Sequence, residues 1–94
     1  MGSTQDKKAF KPWTGATYRI CVLGRLDDRY SDRLGGLTIT QATDDENASV
    51  TILYGWLVDQ AALLGVLNAL YNSFHRPLLL VECVDIDVIK EERV

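Results

Sequence analysis

Apolar and polar residues alternate from residue 17 to residue 23. Tyr18, Ile20 and Val22 fall on one side of an extended chain, and more polar residues separate them. Because successive side chains of a strand point to opposite faces, this period of two predicts a first strand with one apolar face.

The same alternation returns twice in the middle of the chain. Residues 37–40 and 49–56 alternate on either side of the acidic stretch 43–47, which predicts a hairpin with a polar turn. Residues 78–87 are rich in Leu and Val and predict a last strand.

A period of 3.6 replaces the alternation after Asp59. Asp59 is a suitable N-cap, and Pro77 disfavours helical geometry in the residue before it, so a long helix is predicted between them. Its apolar stripe is formed by Leu63, Leu67, Leu70 and Phe74, and Val66 and Tyr71 widen it. Gly65 carries a helix penalty of roughly 1 kcal/mol relative to Ala, which suggests close approach to a neighbour.

A second, shorter helix is predicted at residues 29–34. Asp27 and Asp28 offer an N-cap, and Gly35 with Gly36 supplies a stop.

The order strand, short helix, strand, strand, long helix, strand predicts an α+β protein of the ferredoxin-like βαββαβ type. We expect a four-stranded antiparallel sheet with the first and last strands as its central neighbours and both helices on one face. Apolar residues on the other face predict a homodimer formed through the sheet face. Partial shielding of that face by Trp13 is the alternative.

The chain divides into three predicted segments. Residues 1–14 have no apolar period and predict a flexible leader, residues 15–89 a single α+β domain, and residues 90–94 a charged C-terminal tail. Ninety-four residues are enough for one domain with a modest core.

Charge and hydropathy narrow the classes of partner. The net charge is −3, and without the three Lys and one Asp of residues 1–13 there are 7 basic and 12 acidic residues, so nucleic acid is not an expected partner. No apolar run approaches the roughly 20 residues of a membrane span, so no membrane association is expected. The N-terminus does not resemble a secretory signal, which predicts a cytoplasmic protein.

Two stretches resemble a family of short bacterial proteins of unassigned function. The family pattern is L-D-x-x-W-S-x-x-F-x-G-L-x-I followed by G-x-x-x-D-Q-A-A-L-x-G-L-L-x-x-L and P-L-L-x-V. Its matches here are Leu26-Asp27, Tyr30-Ser31, Leu34, Gly36-Leu37, Ile39, Gly55, Asp59 to Leu63, Gly65 to Leu67, Leu70, Pro77 to Leu79 and Val81. The resemblance implies a small α+β domain and no particular activity. Several relatives have a histidine where this chain has Leu64, so chemistry that depends on that histidine is not expected.

Candidate catalytic and metal-binding residues are few. His75 is the only histidine and lies at a predicted helix end, where a cation favours the helix dipole. Cys21 and Cys83 fall on strands predicted to be adjacent, and without C-x-x-C spacing they are interpreted as buried thiols. We therefore predict no catalytic residue, no metal site and no cofactor.

The best candidate for ligand binding is the junction between the third strand and the long helix. Trp56, Asp59 and Gln60 would place free backbone amides and the positive end of the helix dipole beside an aromatic ring, where a small anion could bind. Tyr30 and Arg33 on the short helix are candidates to complete the pocket. The alternative is an ordinary Asp cap beside a core tryptophan.

Two hypotheses of function follow. The leading hypothesis is a non-enzymatic, dimeric interaction or regulatory module that binds a protein partner or small effector. The alternative is a small dimeric ferredoxin-like enzyme with a pocket near residues 56–60, in which Asp59 or His75 acts as acid or base.

Overall fold

The computed structural model describes residues 10–87. The predicted tail at 90–94 and the first nine residues of the predicted leader lie outside the described residues. All six predicted elements are present in the predicted order. They are β1 (Ala16–Leu23), a 3₁₀ helix (Asp28–Leu34), β2 (Thr38–Thr43), β3 (Ser49–Leu57), α1 (Gln60–Asn72) and β4 (Leu78–Ile86).

The four strands form one antiparallel sheet in the order β2-β3-β1-β4. The α+β class is therefore confirmed. The prediction that the first and last strands are the central pair was wrong for the last strand. β1 pairs with β3 along its whole length, from Ala16 opposite Leu57 to Leu23 opposite Val50, so these two strands are central and β4 is an edge strand.

The core lies on one face of the sheet. Tyr18, Ile20 and Val22 of β1 are buried there, as the alternation predicted. The helices contribute Leu34, Leu63, Val66 and Leu70 to the same cluster of buried side chains. Both helices therefore lie on this face, which we call the helix face, and we call the opposite side of the sheet the outer face.

The short helix is a 3₁₀ helix with the predicted caps. The Asp27 carboxylate accepts a hydrogen bond from the backbone N–H of Arg29, at 3.0 Å, and Gly35 ends the helix at φ +72°. A Cβ atom on Gly35 would lie 3.0 Å from side-chain atoms of Leu57 and Val66. Glycine at this stop thus allows both the left-handed backbone and the close contact with β3 and α1.

Both ends of α1 follow from local signals. Asp59 is the N-cap, and its carboxylate accepts a hydrogen bond from the N–H of Ala62 at 2.9 Å. Past the helix end, His75 takes φ +54°, and the N–H of Arg76 donates to the carbonyl of Leu70 at 3.0 Å. This bond satisfies a carbonyl that the end of the helix would leave unpaired.

Two residues of α1 differ from their predicted roles. Tyr71 is 71% exposed and does not widen the buried stripe. Apart from its chain neighbours and the adjoining backbone of α1, no heavy atom lies within 4 Å of a Cβ built on Gly65, so the predicted close approach to a neighbour is wrong within the described chain.

Part of the predicted leader contacts the domain. Phe10 packs against the core, and the carbonyl of Pro12 accepts a hydrogen bond from the N–H of Gln60 at 2.8 Å. Trp13 is 72% exposed. Packing of the described chain thus begins ahead of residue 15.

Candidate functional site

The five candidate ligand-binding residues lie in separate regions. Asp59 and Gln60 lie at the N-terminal end of α1, whereas Tyr30 and Arg33 contact Phe74, just past its C-terminal end. Thirteen helical residues span about 20 Å at 1.5 Å per residue. The structure therefore does not bring the two groups together in one pocket.

Trp56 lies on the outer face, where it is 53% exposed, and is not the core tryptophan of the alternative interpretation. Its indole N–H lies 3.1 and 3.2 Å from the two carboxylate oxygens of Asp87. The ring rests on Gly15, where a Cβ would lie 2.7 Å from the indole Cζ2 atom. Gly15 and Asp87 thus fix the orientation of an exposed aromatic ring.

The amides at the start of α1 already have partners within the chain. Asp59 accepts from Ala62, and Pro12 accepts from Gln60. Two donors of the predicted anion site are therefore occupied, and anion binding here would have to displace them.

A buried hydroxyl lies beneath the same end of α1. The hydroxyl oxygen of Tyr18 is buried without a hydrogen bond, and the Gln60 side chain lies beside it without hydrogen-bonding geometry. Burial raises the pKa of Tyr18 above its usual value of 10.0, because the ionised form is poorly solvated there.

Tyr30 and Arg33 form an aromatic and cationic cluster with Phe74. The rings of Tyr30 and Phe74 meet edge to face with their centroids 5.0 Å apart. The Arg33 guanidinium carbon lies 5.2 Å from the centroid of Phe74 and 5.8 Å from that of Tyr30. Such contacts stabilise the packing of the 3₁₀ helix against the end of α1.

The surface clefts of the described chain include two that contain charged side chains. One, of about 470 Å³, is lined by Arg25, Leu26, Asp27, Asp28, Ile39 and Gln41. The other, of about 330 Å³, is lined by Tyr71, Asn72, His75, Arg76 and Pro77. In the second cleft, the Arg76 guanidinium donates to the carbonyls of Phe74 and Arg25, both at 3.0 Å. Arg76 thus holds two loops together, and His75 contributes an imidazole to the lining of this cleft.

No helix of residues 10–87 lies on the outer face. Its apolar and aromatic members come mainly from β1, β3 and β4, as predicted, and include Cys21, Leu23, Ile52, Tyr54, Trp56 and Leu80. The side chains of Arg19 and Glu82 form an ion pair across β1 and β4, and the carboxylate raises the pKa of Arg19. An apolar surface with an internally neutralised charge pair is thus accessible on this face.

β4 is the surface that sequence reasoning missed. Leu78, Leu79, Leu80, Val81 and Val84 are 39–51% exposed. The helix face of β4 is open because α1 packs mainly against β3 and the 3₁₀ helix. The sequence signal was the apolar run at 78–81, since strands apolar on both faces are normally covered on both.

The cysteines lie on adjacent strands, as predicted, but on opposite faces. Cys21 is opposite Leu80, whereas Cys83 is opposite Tyr18, which points to the helix face. Both are free thiols, and the predicted burial was wrong for both, since Cys83 is exposed and Cys21 is only half-buried.

Fold and surface together define a small α+β domain with helices on one face of a four-stranded sheet and an accessible, partly apolar opposite face. No helix within residues 10–87 is long and apolar enough to span a bilayer. A family model described as a domain of unknown function (DUF8691) matches residues 17–82, and the chain belongs to this family. No curated protein and no solved structure gave a match.

Proposed function

We propose that this protein is a non-enzymatic interaction module that forms a homodimer through its outer face and binds a protein partner or small effector. We further propose that its topology is the ferredoxin-like βαββαβ arrangement. The observation that supports the dimer is the group of exposed apolar side chains on a sheet face without a helix layer.

The chemistry of the outer face favours a contact with a second copy. Leu23 and Tyr54 are 39% and 43% exposed, and burying them removes apolar surface from water. Arg19 is already paired with Glu82 of its own chain, so these two side chains add no net charge to a contact between two copies about a two-fold axis.

The proposed effector region is the exposed ring of Trp56. Its indole is oriented by Asp87, and its flat surface remains accessible. An aromatic or apolar group can stack there without displacing any hydrogen bond of the helix cap at Asp59.

A substitution in the outer face tests the dimer. We expect Tyr54→Lys to weaken dimerisation at least tenfold, because it places two cations in the contact and removes aromatic surface. The measurement is sedimentation velocity over a micromolar concentration series. Thr43→Lys, at the exposed end of β2, is the matched control and should leave the assembly unchanged. Equal dissociation constants for Tyr54→Lys and the unchanged protein would contradict the proposal.

One observation favours the alternative, a small enzyme: His75 lines a cleft of about 330 Å³. The two functions differ in what native mass spectrometry of the purified chain should show. An enzyme or effector pocket predicts extra mass that disappears on denaturation. Loss of that mass in His75→Ala would favour the enzyme, whereas loss in Trp56→Ala would favour the effector region.

A further inference from the structure

The two edges of the sheet differ in length and polarity. β2 is six residues long and exposes Thr38, Thr40 and Thr43, whereas β4 is nine residues long and exposes mostly leucine and valine. Polar residues and short length protect an edge strand from pairing with other chains, and a long apolar edge lacks that protection.

We propose that β4 pairs with β4 of a second copy, antiparallel and about a two-fold axis, to give a continuous eight-stranded sheet. This contact uses the sheet edge and is separate from the outer-face contact proposed above. The backbone N–H and C=O groups on the edge of β4 that points away from β1 would supply the hydrogen bonds of this contact.

The bulges of β4 restrict the register. The pairing with β1 shifts at two places, between Thr17 and Tyr18 and between Cys21 and Val22, so the regular part of β4 is residues 80–83. A two-fold axis at Glu82 would place two carboxylates directly opposite each other, which is unfavourable. An axis at Val81 places Val81 opposite its own copy and Leu80 opposite Glu82. We infer the register centred on Val81.

The exposed apolar residues 78–81 and 84 of β4 form a strip along the sheet edge. The size of this strip fits an interface between two copies. A nine-residue strand is about 30 Å long, and contact to about 10 Å depth on both of its faces covers roughly 600 Å² per copy, against about 800 Å² per partner in standard interfaces. Exposed residues of α1 extend the strip. Tyr71 lines a cleft with Pro77, which directly precedes β4, and Leu64 lies two turns earlier on the same side of the helix.

The charge of β4 favours a second copy over a charged foreign strand. Glu82, at the middle of the regular part, is already paired with Arg19 of its own chain. The central strip is therefore apolar and neutral, and like strips can meet without repulsion. An antiparallel pair of identical strands also uses both free edges, so the assembly closes rather than extending into a fibre.

Disulfide trapping tests the register. In the full chain with Cys21 and Cys83 replaced by Ser, we expect Val81→Cys to give a covalent dimer on mild oxidation. Directly opposed residues of antiparallel strands have Cα atoms within disulfide range, about 4.5–5.5 Å apart. Thr43→Cys on β2, on the helix face like Val81, is the matched edge control and should remain monomeric on a denaturing gel. Absence of the covalent dimer for Val81→Cys would overturn the proposed register.

A charge substitution tests the pairing itself. We expect Val81→Lys to raise the dissociation constant of the β4 contact at least tenfold in sedimentation velocity, while Thr43→Lys, on the helix face of β2, has no effect. Circular dichroism verifies that both variants are folded. Unchanged assembly in folded Val81→Lys would overturn the proposal, as would capture of an unlike strand in place of the second copy. Because Tyr54→Lys reports only the outer face, failure of one contact is distinguishable from failure of the other.

Discussion

At the scale of single residues, the Tyr18 hydroxyl is a polar group in an environment that offers it no hydrogen-bond partner. It is buried without a hydrogen bond under α1, between β3 and β4. An unpaired buried polar group costs roughly 1–3 kcal/mol. The core thus tolerates a penalty here that a phenylalanine would not carry.

We expect Tyr18→Phe to raise the free energy of unfolding at pH 7 by about 1 kcal/mol, because it removes this unpaired hydroxyl. The pKa of Tyr18 is raised in the folded state, so the protein keeps its full stability below pH 10 and loses stability as the pH rises above 10 towards the folded-state value, because the unfolded chain ionises more readily. The variant should therefore lose less stability than the unchanged protein above pH 10. Urea unfolding at pH 7 and at alkaline pH measures both effects.

The control for this substitution is Tyr54→Phe, which removes a hydroxyl from an exposed ring on the outer face. It should leave both the stability at pH 7 and its decline at alkaline pH nearly unchanged. Identical pH profiles for Tyr18→Phe and the unchanged protein would contradict the argument.

At the scale of elements, a polar network joins β3 to the loop that leads into the 3₁₀ helix. The buried hydroxyl of Thr51 accepts from the N–H of Leu26 at 3.0 Å, and it lies 2.7 Å from the carbonyl of Gly24 and 2.9 Å from Gln41 Oε1. The Gln41 amide in turn donates to the carbonyl of Leu26. This network holds the loop against the sheet.

We expect Thr51→Val to lower the free energy of unfolding by about 2 kcal/mol, because the isosteric methyl leaves buried backbone groups of the loop without their partner. Thr40→Val, at an exposed position of β2, is the matched control and should change stability by less than about 0.5 kcal/mol. Urea denaturation gives both values, and equal stabilities of the two variants would show that the network is not stabilising.

The sequence predicted those elements whose signals are local. Asp59 and Gly35 are recognisable because the residue itself caps or stops a helix, and the alternation around Ile20 identifies β1 directly. The edge position of β4 was not predictable in this way, because it depends on which side of β1 the third strand occupies. The exposure of Tyr71 follows from where α1 packs, which no local pattern encodes.

In the candidate site, too, the features set by local sequence signals were predictable and those set by packing between distant residues were not. Trp56 was correctly identified as part of a strand that ends at a helix cap, but its face was set by pairing with Thr17 across the sheet. Tyr30 and Arg33 were grouped with Asp59 on sequence grounds alone. Their actual partner is Phe74, which is distant in sequence and lies at the other end of α1.

At the scale of the whole molecule, the helix layer covers one face of the sheet and leaves an apolar outer face and an apolar edge exposed. Each surface is compatible with a two-fold contact, and the two contacts use different parts of the sheet. One contact alone gives two chains, whereas both together give four chains if their axes close the assembly.

The most direct test of this account is the mass of the native assembly, measured by sedimentation velocity of the unmodified chain at micromolar concentration. We expect a mass of at least twice that of the 10.5 kDa chain. Tyr54→Lys and Val81→Lys should each lower that mass or raise its concentration dependence. A single species of one chain across the concentration series would contradict self-association through the sheet.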